Sequence, residues 1–323
     1  MLILTAADVR RALPMRAAID SQKRAYASLV NGEAALPLRT PVTVPNQGAV
    51  TLFMPARVGG DLGAKVVSVF PNNVAKGLPM IHGAVILVDT TTGQPIALMD
   101  ATYLTALRTG AGAGAATETL ARPDSRVAAI IGSGALARAH LLAICEARPI
   151  KLARIFSRNP QRVSAFIDEM QPLVGATLVA APSPAEAVRE ADIVCTVTTS
   201  NTPVFDGNDL KPGAHVNGAG SYTLDMQEVD AETVRRAGKV FVDSRESALA
   251  EAGDVAEPIK ANLIAESDLI EIGAVITGSQ PGRTSSDQIT FFKSCGVAVQ
   301  DVAAGGEVLR RAKELGLGTE TAL

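Results

Sequence analysis

Apolar positions along this chain of 323 residues follow two periods in succession, and each change of period marks a change of structure. Thr5-Ala6-Ala7-Asp8 has the form of a capping box and predicts a short helix. Pro14 opens a second helix that runs to Val30, and Asn31-Gly32 ends it. From Leu36 to Leu98 the period falls to two. The runs PLRTPVTVP, AVTLFMPARV, LGAKVVSVF and GAVILVD alternate or are β-rich, broken at Asn46-Gln47-Gly48, Gly59-Gly60 and Pro71-Asn72-Asn73. Thr92-Gly93 turns VILVD back onto PIALMD as a hairpin. These runs predict an antiparallel sheet domain.

Asp100 then caps a helix, ATYLTALRTGAGAGAATETLA, which leads into a second domain. Its small residues, Gly110 to Ala116, weaken helix propensity but admit another backbone at close range. Arg122-Pro123-Asp124-Ser125 is the boundary turn. Beyond it, strand-like runs (Val127 to Ile131, KLARIF, ATLVAA, DIVCTVTTS, AHVNGAG, KVFVD) alternate with helical ones (through Leu141, Leu142 and Ile144; from about Pro160; SPAEAVREA; from about Val229 to Ala237). That alternation predicts an α/β chain: a Rossmann-like doubly wound parallel sheet beside an α+β domain. The last segment, DQITFFKSCGVAVQD followed by VAAGGEVLRRAKELGL, reads as a strand-like run and a helix. Its length does not extend the sheet naturally, which suggests a return to the first domain.

The richest chemistry lies where the strand Val127–Ile131 runs into Gly132-Ser133-Gly134-Ala135-Leu136-Ala137 and a helix. In this context G-x-G-x-x-A is a dinucleotide fingerprint. Gly132 allows the sharp turn, Gly134 lets a pyrophosphate approach bare backbone, and Ala137 is small where helix meets strand. A glycine turn with only a packing role is the alternative. Where an acid would bind the ribose 2′-hydroxyl, the chain has Ser157-Arg158-Asn159. A guanidinium suits a 2′-phosphate, so NADP(H) is the preferred cofactor, with NAD(H) still open and a solvated Arg158 as the bland reading. Ligands of such sheets sit beyond the carboxyl ends of the strands, which directs Thr198-Thr199-Ser200 and Asn217 to Tyr222 toward cofactor and substrate.

Composition narrows the field. A net charge of −3 gives no reason to expect nucleic acid or an anionic membrane surface. Cys145, Cys195 and Cys295 are odd in number and set in apolar runs, so they read as reduced packing residues in a cytoplasmic protein. No apolar run approaches the roughly 18 residues that span a bilayer, and the opening MLIL is too short for a signal peptide. His82, His140 and His215 are isolated, and nothing has metal-ligand spacing.

The helix LRTGAGAGAAT, the turn VAAIIGSGALA, the strand ADIVCTVTTS and the segments VNGAGSY, VFVDSRESALAEAGD and FFKSCGVAVQD together resemble the ornithine cyclodeaminase and mu-crystallin family over essentially the whole length. The resemblance implies an NAD(P)-dependent enzyme of small α-amino or α-imino acids, built as a homodimer. Residues 1–115 with about 292–323 would form the substrate-binding and dimerisation domain, and residues 116–291 the nucleotide-binding domain. It implies that Arg108 of ALRTG and Lys65 of GAKVVSV bind the substrate carboxylate and carry the catalysis, with Arg39 of LPLRT a third binder. Val44, Met54, Tyr222 and Lys293 are placed by motif position to shape the pocket. Cyclodeaminases carry an Asp shortly after the glycine of VNGAGSY; here Tyr222 stands in that place and Asp225 falls three residues later. A phenol is a poor general base at neutral pH, which favours imine reduction of Δ1-pyrroline-2-carboxylate or Δ1-piperideine-2-carboxylate. An ornithine cyclodeaminase or alanine dehydrogenase using NAD, and an NADPH-binding protein without turnover, are the rivals.

Overall fold

A computed structural model describes residues 1–322 and divides the chain into two compact units, one of Met1–Arg108 with the segment from Val297 onward, the other of Thr109–Gly296. In the first, β1 (Leu2–Leu4) leads to α1 (Ala6–Ala12), whose capping box is made: the Asp8 amide donates to Thr5 Oγ1 at 3.3 Å and the Thr5 amide to Asp8 Oδ2 at 2.9 Å. α2 (Met15–Val30) follows, with Pro14 just outside its first turn. Then come β2 (Ala34–Ala35), β3 (Thr40–Val44), β4 (Ala49–Val58), β5 (Asp61–Val69), β6 (Ile81–Val88) and β7 (Pro95–Asp100). β6 and β7 pair as the expected hairpin. α3 (Thr102–Leu120) begins where Asp100 Oδ1 accepts from the Tyr103 amide at 2.9 Å, and the division between units falls after its Arg108.

The second unit runs β8 (Val127–Ile131), α4 (Ala135–Ala147), β9 (Leu152–Phe156), α5 (Pro160–Met170), β10 (Thr177–Ala180), α6 (Pro184–Val188), β11 (Ile193–Thr196) and β12 (His215–Gly218). It continues with α7 (Ala231–Ala237), β13 (Val240–Val242), α8 (Arg245–Glu251), α9 (Gly253–Lys260), β14 (Leu269–Glu271), α10 (Ile272–Ile276) and β15 (Thr290–Lys293). All pairings are parallel, in the order β10-β9-β8-β11-β12-β15-β13-β14. Successive residues of a strand face opposite layers. Ala128, Ile130 and Cys195 pack with Leu141 of α4 and Phe166 of α5, whereas Ala129, Ile131 and Val194 pack with Val188, Val234 and Ala248 of α6, α7 and α8. The sheet is doubly wound, as the alternation of periods requires. The small residues of α3 are used as expected: a Cβ on Gly110 would lie 2.5 Å from the carbonyl carbon of Ala139 on α4.

The chain ends in the first unit with α11 (Ala298–Leu315) and β16 (Thr319–Glu320). That unit's sheet has the order β16-β1-β7-β6-β5-β4-β2, with β3 also on β4. α11 is buried along most of its length, and Gly305 lets it approach Val85 and Leu87 of the sheet.

Three expectations are corrected. The first sheet is not wholly antiparallel, because Leu2–Leu4, too short to show a period, pairs parallel with β7. The run DQITFFK does extend the second sheet: its Thr290–Lys293 is inserted between β12 and β13, a position that sequence order hides. The end of FFKSCGVAVQD is not strand-like, since the helix begins at Ala298. No helix among the described residues is long and apolar enough to cross a membrane.

Candidate active site

In the second unit the glycine turn has the geometry of an anion cradle. Gly132 sits at φ +127°, and a Cβ there would lie 2.9 Å from the Val197 carbonyl oxygen, so only glycine fits. A Cβ on Gly134 would meet nothing within 4 Å, which leaves bare backbone facing open space. Gly134 is also the N-cap of the 13-residue α4 and offers no side-chain cap. By contrast, α5, α6, α7 and α8 are capped by Asn159, Ser183, Asp230 and Ser244. The first amides of α4 are thus left for a ligand, at the positive end of its dipole. Arg138, one turn in, donates from Nη1 to the carbonyls of Ser133 at 2.9 Å and Gly134 at 3.1 Å, pinning the turn from behind. Ser133 and Leu136 are half-buried and Ala135 is exposed. This arrangement fits a dinucleotide pyrophosphate.

Ser157, Arg158 and Asn159 follow β9, the strand beside β8. The exposed Arg158 guanidinium has no side-chain partner among the described residues. Asn159 is committed to its neighbour, with Oδ1 accepting from the Arg162 amide at 3.0 Å. After β11, Thr198 gives both its amide (2.5 Å) and its hydroxyl (2.7 Å) to Glu228 Oε1, Thr199 is exposed, and Ser200 Oγ donates to the Thr202 carbonyl at 2.6 Å. Tyr222 is half-buried and Asp225 is exposed. Lys293, expected to line a pocket, is fully buried: its Nζ lies 3.0 Å from Asp254 Oδ2 and donates to the Ser221 carbonyl at 2.7 Å.

In the first unit, three charges meet away from water. Lys65 occupies the buried row of β5 with Gly63, Val67 and Val69, and is 1 % exposed. Its Nζ donates to Asp301 Oδ1 at 2.8 Å. Arg108, on α3, places Nε 3.0 Å from the same oxygen, although this N–H is not aimed at it, and donates from Nη1 to Gln300 Oε1 at 2.7 Å. Gln300 is itself fixed, donating to the Tyr26 hydroxyl at 2.7 Å and accepting from the Val297 amide at 2.9 Å. Met54 faces Lys65 across β4 and β5, and is likewise buried. Burial, and next the Arg108 charge, press the Lys65 pKa down to about 7; Asp301 opposes them and Arg39 adds to them.

The arithmetic of this cluster has a chemical consequence. Two cations share one carboxylate, and a buried site with surplus positive charge favours an anionic ligand. A lysine near pKa 7 can also give or take a proton at neutral pH. The structure therefore brings Lys65, Arg108 and Met54 together, with Arg39 in electrostatic range. Asp301, Gln300 and Tyr26 escaped the sequence reading. The available signal was the polar pair Gln300-Asp301 set in the otherwise small and apolar first half of α11, Ala298 to Gly306.

The histidines stay out of this chemistry. His82 is exposed on β6. His140 is buried against the Leu136 carbonyl and pushed down to about 4 by burial, and His215 is buried between Thr290 and Asn217 and pushed down to about 3 for the same reason. Both are neutral packing residues. No cluster suited to a metal ion occurs among the described residues, and all three cysteines are free thiols.

Residues 1–315 match the model of the ornithine cyclodeaminase/mu-crystallin family. A Δ1-pyrroline-2-carboxylate reductase of Bacillus cereus is 37 % identical over 321 residues, covering 98 % of each chain. The structure of Δ1-pyrroline-2-carboxylate reductase from Thermococcus litoralis, in complex with NADH and L-proline, superposes with a TM-score of 0.96 at 39 % identity, covering 99 % of this chain and 100 % of that one. An archaeal alanine dehydrogenase dimer with bound NAD gives 0.93 at 32 % identity, covering 100 % and 99 %. The protein belongs to the ornithine cyclodeaminase/mu-crystallin family.

Proposed function

We propose that the protein is an NAD(P)H-dependent reductase of small cyclic imino acids, converting Δ1-pyrroline-2-carboxylate, or its six-membered homologue Δ1-piperideine-2-carboxylate, to proline or pipecolate. The observation that carries this reading is the buried trio of Lys65, Arg108 and Asp301, whose unbalanced positive charge is the complement of one carboxylate. Arg108, with Arg39, holds the substrate carboxylate and so fixes the neighbouring imine carbon. Reduced nicotinamide supplies the hydride to that carbon. Lys65 gives the proton to the imine nitrogen or holds it protonated, which makes the carbon more electrophilic; its lowered pKa suits it to this task near neutrality. Asp301 keeps the ammonium in place, and Met54 contributes apolar wall.

The pyrophosphate takes the amides of Gly134, Ala135 and Leu136, with Ser133 in the turn and Thr198, Thr199 and Ser200 at the next strand end. Ser157 and the unpartnered Arg158 take a 2′-phosphate, which supports NADP(H) over NAD(H). On this reading the unit containing Lys65 binds substrate and the unit containing Gly132 binds cofactor. A homodimer in the cytoplasm completes the proposal. It is supported by Leu38, Val42 and Phe53, large apolar side chains 44–50 % exposed on or near one sheet, and by the dimer of the alanine dehydrogenase relative. Light scattering at the mass of one chain would remove that part.

Cyclodeamination is disfavoured because Tyr222 occupies the acid's place and Asp225 is exposed. The direct test is Arg108→Ala. Imine reduction should be abolished while NADPH binding, followed by its fluorescence, stays close to that of the unmodified protein. Loss of both together would make Arg108 structural and sink its assignment.

A further inference from the structure

One fully buried carboxylate in the second unit ties together the carboxyl ends of two neighbouring strands. Glu228 Oε1 accepts from the amide (2.5 Å) and hydroxyl (2.7 Å) of Thr198, just after β11. Its Oε2 accepts from the amides of Gly220 (2.6 Å) and Ser221 (3.1 Å), just after β12. The fit is close, since a Cβ on Gly220 would lie 2.1 Å from the Thr198 carbonyl oxygen and 2.7 Å from Glu228 Oε1. Behind it, Asp254 Oδ1 accepts from the amides of Glu228 (2.7 Å) and Val229 (2.9 Å). Asp254 Oδ2 faces both Ser221 Oγ and Lys293 Nζ, and Lys293 is the last residue of β15, the next strand in the sheet. A single network thus fastens the ends of β11, β12 and β15, with Glu228, Asp254 and Lys293 all 0 % exposed.

Burying two carboxylates and one ammonium here carries a desolvation penalty that apolar packing would avoid. Fixing two loops at the strand ends, where an open α/β sheet binds its ligand, offers a reason for that cost. We propose that Glu228 is a positioning residue: by clamping Thr198 to Gly220 and Ser221 it sets the loops that receive the nicotinamide end of the cofactor, while the pyrophosphate and adenosine end depends on the Gly132–Leu136 turn. The inference rests on the nucleotide site proposed above.

Glu228→Gln tests it. The amide has one acceptor oxygen for four donors, so one loop loses its anchor while size is kept. Binding is measured for NADPH and for 2′-phospho-ADP-ribose, which lacks nicotinamide. The expected result is NADPH weakened about tenfold, the scale of a lost charge-assisted hydrogen bond, with its fluorescence altered and the ADP-ribose analogue unchanged. Equal weakening of both ligands, or of neither, would overturn the proposal. If Glu228→Gln fails to fold, Ser221→Ala, which removes only a hydroxyl from the same network, should show the same asymmetry more weakly, and equal effects on both ligands would overturn it. An unmodified protein that binds neither ligand would instead refute the nucleotide site itself.

Discussion

Lys65 and Asp301 are 236 positions apart in the chain and 2.8 Å apart in the fold, and each side chain is at most 1 % exposed. A lysine in the buried row of a strand would be poorly tolerated by itself; the carboxylate arriving on α11 makes it stable, and Arg108 on the same carboxylate keeps the pair from being neutral.

The pH dependence follows from that balance. With the Lys65 pKa held at about 7 by burial and by Arg108, the ammonium is present below this value and lost above it. Imine reduction uses the protonated form, so kcat/KM should fall as pH rises through about 7, whereas oxidation of L-proline, which needs the neutral amine to accept a proton, should rise. Because the folded value lies below the unfolded one, the same group lowers stability as pH falls from 10.5 to about 7 and adds no further change below that. Parallel rate profiles in the two directions would remove Lys65 as the proton donor.

Asp301→Asn leaves two buried cations without their counter-charge. Breaking a buried pair in this way costs about 3–5 kcal/mol, visible as a lower denaturant midpoint. The loss of the opposing charge also drives Lys65 further toward its neutral form, so reduction at neutral pH should fall more steeply than dinucleotide binding. An asparagine variant equal to the parent in both respects would mean that Asp301 neither holds nor tunes Lys65.

Arg158→Ala addresses cofactor choice. A guanidinium–phosphate pair contributes on the order of 1.5–3 kcal/mol, so the ratio of kcat/KM for NADPH over NADH should drop about tenfold or more, mainly through the KM for NADPH. An unchanged ratio would make Arg158 a solvated loop residue and return NAD(H) to equal standing.

Period and turn chemistry made most of the fold legible in advance. The Gly132–Gly134 turn, the β6–β7 hairpin and the strand–helix alternation are local signals, written within about 30 residues. What escaped was long-range. Leu2–Leu4 has too few residues to show a period, and Thr290–Lys293 inserts between strands that precede it by many residues. The candidate site divides in the same way: motifs name Lys65 and Arg108, which the fold brings to one carboxylate, whereas Asp301, Gln300 and Glu228 act through partners that no spacing in the sequence encodes. Motif position put Lys293 among the residues shaping the pocket; in the fold it is fully buried, with Nζ 3.0 Å from Asp254 Oδ2, an ion pair that the sequence separates by many residues.

The measurement that tests the account most directly is oxidation of NADPH and NADH by the protein supplied with Δ1-pyrroline-2-carboxylate, followed at the nicotinamide absorbance. The account predicts rapid substrate-dependent loss of the reduced cofactor, faster with NADPH, and formation of proline. No loss with this imine or its six-membered homologue, together with ammonia release from ornithine and NAD, would contradict it.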